Sequence, residues 1–87
     1  MKYEFSPHAR KRMEERSISE KLVVEALKFP TKISSDKRGR QLVKKLYIKR
    51  KSQRLLLIAV ETKGGISRII TLIDTSKIEK YLYEKEK

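Results

Sequence analysis

The sequence predicts an α+β fold: two N-terminal helices, a four-stranded antiparallel meander sheet and a C-terminal helix. Three observations carry this. Two helix starts follow closely on one another, at Ser6-Pro7 and at Ser17-Ile18-Ser19-Glu20. Beyond Thr31 the apolar residues recur with period two instead of 3.6. Short turn signals separate those runs, the strongest being Thr62-Lys63-Gly64-Gly65. The chain has 87 residues, with no internal repeat and no linker, so residues 1–87 read as a single domain with a modest core.

The elements follow in order. Residues 1–5 form a short extended piece with Tyr3 and Phe5 on one side. Ser6 is a good N-cap, and Pro7 at the next position gives up an N–H that would have no partner anyway. The first helix runs from about Pro7 to Arg16, with Ala9 and Met13 as its apolar stripe. Ser19 caps the second helix, Ile18 staples onto Val23, and Leu22, Val23, Ala26 and Leu27 form its apolar stripe. Pro30 ends it. Lys32–Ser35 is a weak strand, and Asp36 to Gly39 a turn in which Gly39 supplies a positive φ. In residues 42–50, Leu42, Lys44, Leu46 and Ile48 alternate with Val43, Lys45, Tyr47 and Lys49. A turn at 51–53 leads to residues 55–60, which are apolar on both faces and belong in the middle of the sheet. Residues 66–73 place Ile69, Thr71 and Ile73 on one face and Arg68, Ile70 and Leu72 on the other. Asp74 or Thr75 caps a last helix with a narrow stripe of Ile78, Tyr81 and Leu82. The helices are expected to cover one face of the sheet, leaving the other partly open.

The bulk numbers narrow the function. No cysteine is present, which excludes a disulfide scaffold and a thiolate metal site and fits a cytoplasmic protein. No apolar run approaches the roughly 20 residues of a membrane span, and the N-terminus has no signal-peptide core. There are 23 Lys+Arg against 11 Asp+Glu, a formal net charge of +12. The excess is uneven: residues 1–54 carry 17 basic and 6 acidic groups, and residues 36–54 carry nine basic groups against Asp36. A polyanion partner is expected, with nucleic acid first, an acidic protein second and an anionic membrane third. A thermophile-like composition, with no Asn and two Gln, explains many charges but not their net sign or clustering.

One stretch is distinctive: His8-Ala-x-x-Arg12-Met-x-x-Arg16-x-Ile-Ser19. It resembles the opening of a family of small prokaryotic domains of unknown function that is itself similar to RelE/ParE-type toxins, within the barnase–EndoU–colicin–RelE grouping. The similarity continues through the turn Asp36-Lys-Arg-Gly-Arg40 and the strands Leu46-Tyr-Ile-Lys49 and Ile69-Ile-Thr71. The resemblance implies a RelE-like fold and metal-independent RNA cleavage by a toxin–antitoxin system. Its partners would be RNA, free or on the ribosome, and an acidic antitoxin protein. Family members usually carry Gly where this chain has Ser17, so Ser17 must adopt a left-handed conformation or the helix must close differently.

RNA cleavage through the 2′-OH needs a base for that hydroxyl, an acid for the leaving 5′-oxygen and fixed positive charge around the phosphate. His, Lys and Tyr can move protons, whereas Arg can only clamp. His8, Arg12 and Arg16 fall at i, i+4 and i+8 on one helix face and, with Tyr47, are the candidate catalytic residues. Arg38, Arg40, Lys45, Lys49 and Arg54 are the candidate nucleic-acid-binding residues. Tyr47 between Lys45 and Lys49 suits base stacking. Plainer readings stand beside these: a surface His8, arginines paired with Glu15 or Glu20, a Tyr47 that only packs. No metal site or cofactor is expected, because Asp36 and Asp74 have no partners at ligand spacing. A non-catalytic nucleic-acid-binding module and a basic interaction protein remain the alternatives to an endoribonuclease.

Overall fold

A computed structural model of the protein describes residues 2–35 and 39–82. The chain runs β1 (Lys2–Phe5), α1 (Pro7–Arg16), α2 (Glu20–Lys28), β2 (Lys32–Ser35), β3 (Gln41–Lys49), β4 (Ser52–Lys63), β5 (Ile66–Thr75) and α3 (Ile78–Leu82). The fold is α+β with a five-stranded sheet in the order β1-β5-β4-β3-β2. Strands β2 to β5 form the antiparallel meander, with the doubly apolar β4 at the centre as expected. The first five residues are the departure. Lys2–Phe5 make a true fifth strand, parallel to β5, with Phe5 opposite Ile69. Helix α1 begins at once beyond it, so the β1–α1 junction fixes where the helix lands.

Both N-caps form as the sequence implies. Ser6 Oγ accepts the Ala9 N–H at 3.0 Å, and Ser19 Oγ accepts the Leu22 N–H at 3.1 Å. Helix α1 closes through a left-handed Ser17 (φ 53°). The Ile18 N–H donates to Met13 O and the Ser17 N–H to Glu14 O, which is the Schellman pattern that glycine ordinarily serves.

The core lies between α1 and α2 and one face of the sheet. Ala9, Met13, Ile18, Val23 and Ala26 pack on Val43, Leu56, Ile58, Val60, Ile69 and Leu72. On β5 the expected strict alternation fails at one place. Ala59 pairs with Thr71 and Val60 with Ile69, so Ile70 is an extra residue, a β-bulge. The bulge puts Ile69, Leu72 and Asp74 on the helix side, in register with Val60, Ile58 and Leu56. Ile69 and Ile73 therefore do not share a face. The Ser6 hydroxyl donates to the Ile70 carbonyl at 2.7 Å, and the Ser6 N–H donates to Ile69 O at 3.0 Å, so the start of α1 is pinned to the bulge.

The helices do not all share a face. Helix α3 lies on the side opposite α1 and α2, where Lys44 of β3 donates to Tyr81 O at 2.7 Å and Leu82 is buried. Ile48 and Ile73 stay exposed on that side. Asp74 is not a helix cap, because β5 runs on through it to Thr75. The Thr75 hydroxyl takes the Lys77 N–H instead, at 3.1 Å. Two β-hairpins close with two-residue turns, at Arg50-Lys51 and at Gly64-Gly65, and all four residues have positive φ.

Candidate functional site

Asp74 is the hub of a polar cluster. Its side chain is 4% exposed, on the helix side of β5. The Tyr47 hydroxyl donates to Oδ1 at 2.8 Å, and Arg54 Nε donates to the same oxygen at 2.8 Å. Lys49 Nζ lies 4.0 Å from Oδ2. The register explains the convergence: Tyr47 faces Arg54 across β3 and β4, and Leu56, next on that face, faces Asp74. Three strands thus place four side chains beyond the apolar core, where the sheet meets the C-terminus of α1.

The electrostatics follow from these contacts. Burial pushes the Tyr47 phenol up to about 12, aided by its hydrogen bond to Asp74 and by that carboxylate's charge. Burial also pushes the Asp74 carboxyl up. The hydrogen bonds from Arg54 and Tyr47, with the charges of Arg54 and Lys49, outweigh that, and the net shift is downward. The hydrogen bond to Asp74 raises Arg54 further. The cluster is a neutral phenol and an ionised carboxylate held by cations.

Beside this cluster opens a concavity of about 380 Å³, lined by Arg16, Lys49, Arg50 and Arg54, by the two acids Glu15 and Asp74, and by two serines. A helix C-terminus presents bare carbonyls and partial negative charge, a poor setting for an anion. Here Lys49 Nζ donates to Arg16 O at 2.7 Å and offsets it. The backbone around the concavity is unusual. Ser17, Arg50 and Lys51 are the non-glycine residues with positive φ among the described residues, and all three lie at this end of the molecule. Each costs roughly 1 kcal/mol, and such strain concentrates at functional sites.

The nine residues singled out from the sequence divide. Arg16, Tyr47, Lys49 and Arg54 come together here. His8 is exposed in the first turn of α1. Eight residues of helix rise separate it from Arg16, about 12 Å. Arg12 lies between them, partly buried. Lys45 donates to Phe29 O at 2.8 Å and so holds the end of α2. Arg40 lies at the far end of β3, 3.9 Å from Glu61. Arg38 is outside the described residues. A pattern emerges among the lysines of β3: Lys49 holds the C-terminus of α1, Lys45 that of α2 and Lys44 that of α3. Much of the central basic run therefore has structural work.

Sequence reasoning missed Asp74 and Arg50. The signal for Asp74 was a lone acid two residues after a core leucine. Strict alternation through residues 66–73 hid it, because nothing in Ile69-Ile70-Thr71 announces a bulge. Arg50 went unassigned among the basic residues because Arg-Lys is not a turn dipeptide.

Comparison with curated proteins and with solved structures gives no match. A family model of a domain of unknown function, DUF4258, matches residues 5–80. That span runs from the last residue of β1 into α3 and takes in every residue of the Asp74 cluster and of the concavity beside it, so the chain belongs to the DUF4258 family.

Proposed function

We propose that the domain binds RNA through its phosphates at the concavity beside Asp74 and cleaves it without a metal, as a toxin-like endoribonuclease. The observation that carries the reading is the juxtaposition of Arg16, Arg50 and Arg54 around one strained, polar concavity whose helix end is neutralised by Lys49. The net charge of +12 and the resemblance of the His8–Ser19 stretch to the relatives of RelE-type toxins support it. Three guanidinium groups suit the crowded, doubly charged phosphate of a cleavage transition state. The Tyr47 hydroxyl spends its proton on Asp74 and does not line the concavity, so Tyr47 supports the site by holding Asp74. An acidic antitoxin protein seated over the same arginines would silence the activity.

A second reading has its own observation. Asp74 is almost fully covered and already accepts two hydrogen bonds, which makes it a poor base for the 2′-OH. His8, the base expected from the sequence, is at the opposite end of α1. This favours a module on the same fold that binds RNA without cutting it.

Purified protein with labelled single-stranded RNA in EDTA separates the two. Scission that Arg54→Ala abolishes establishes the nuclease. Binding that weakens steeply with salt, without scission, establishes the binding module. Neither binding nor scission overturns both.

A further inference from the structure

Arginine offers five N–H donors on a planar fork, and its value to a phosphate depends on which edge is turned outward. Arg54 directs Nε into the protein, onto Asp74 Oδ1. Its guanidinium also interacts with the Tyr47 hydroxyl beside it, and the side chain is 28% exposed on the wall of the concavity. Asp74 is itself fixed. Its carboxylate is buried, Tyr47 donates to the oxygen that Arg54 uses, and Lys49 approaches the other.

We propose that Asp74 is the positioning residue of the site: it grips Arg54 by Nε so that the two outer guanidinium nitrogens form a fork for one RNA phosphate in the concavity. This rests on the RNA-binding reading above and assigns its central contact. Arg16 and Arg50, on the walls to either side, add charge without a comparable anchor. The carboxylate thereby helps to bind an anion although its own charge repels one.

That opposition gives the test its sign. By charge alone, Asp74→Asn removes a negative group beside the phosphate and tightens RNA binding. By positioning, it frees the fork and weakens binding. The probe is a fluorescent 2′-O-methyl oligoribonucleotide, which has no free 2′-OH and cannot be cleaved, followed by anisotropy at several salt concentrations. Asp74→Asn is expected to bind about tenfold more weakly, the scale of one charge-assisted hydrogen bond lost. Arg54→Lys keeps the charge but not the fork, and is expected to lose about tenfold with an unchanged salt slope. Thermal melts establish the folded fraction, so that a purely structural loss shows as unfolding with unaltered affinity of the folded protein. Should Asp74→Asn not fold, Arg54→Lys decides, and unchanged affinity there overturns the proposal. Tighter or equal binding by folded Asp74→Asn overturns positioning and leaves RNA binding intact. Absence of binding by the wild-type protein overturns the RNA reading, and the fork's ligand with it.

Discussion

The two tight hairpins make the same turn from opposite materials. Between β4 and β5 the turn residues are Gly64 and Gly65, with φ of 58° and 78°. Between β3 and β4 they are Arg50 and Lys51, with φ of 51° and 67°. Both loops bring φ positive at both central positions, as two-residue hairpins require. Glycine does this at no steric cost, and arginine and lysine do not. The glycine hairpin lies away from the concavity, while Arg50 of the other lines it. The difference teaches that the first turn is built for folding and the second carries side chains despite their backbone conformation.

Exchanging the materials should break this comparison. A Cβ at Gly64 or Gly65 meets nothing within 4 Å, so a substitution there tests backbone strain alone. Gly64→Arg with Gly65→Lys is expected to cost about 2 kcal/mol, measured by urea unfolding, without improving RNA binding. The converse change, Arg50→Gly with Lys51→Gly, is expected to stabilise the fold by about 1 kcal/mol while RNA affinity falls several-fold. Gain of stability without loss of affinity would remove the functional reading of that turn. Ser17→Gly, the third left-handed position, is expected to gain about 0.5–1 kcal/mol in thermal melts.

Acid should find the same end of the molecule. Asp74 titrates below its ordinary value in the fold, so as pH falls the unfolded chain takes the proton first. Its stabilising contribution is complete above the ordinary carboxylate value near 4 and is lost as pH falls through its lowered value. Asp74→Asn should flatten that limb of a stability–pH curve. Tyr47 acts in the other direction: its contribution is complete below about pH 10 and fades as pH rises toward 12. The smallest effect expected is that of His8→Ala, under twofold in RNA affinity, since a side chain about 12 Å along the helix from Arg16 does not reach the same phosphate.

Much of the fold was legible because its signals are local. Ser6-Pro7 and Ser19 announce helix starts, Gly64-Gly65 announces a hairpin, and alternation in residues 42–50 separates Tyr47 and Lys49 from Leu46 and Ile48. The parallel pairing of β1 with β5 was not legible. It joins Phe5 to Ile69 across 64 positions, and four residues of extended chain carry no mark of their partner. The site was half legible for a related reason. Residue type pointed to Arg16, Tyr47, Lys49 and Arg54, and their placement beside one another depends on strand register. Residue type also overcounted, because Lys45 holds a helix end and His8 sits apart. The helical spacing that aligned His8 with Arg16 already separated them too widely for one reacting centre.

The bulge at Ile70 sets the reading frame of β5. A strand spells two messages in alternate letters, and the extra residue moves everything after it from one message to the other. Were β5 to run through Ile70 in regular alternation, Thr71, Ile73 and Thr75 would turn inward and Leu72 and Asp74 out, removing the hub of the site without altering any of its residues. The Ile70 carbonyl that anchors Ser6 would move with them. The face that Asp74 presents is therefore set by the bulge upstream of it, not by any residue of the site itself.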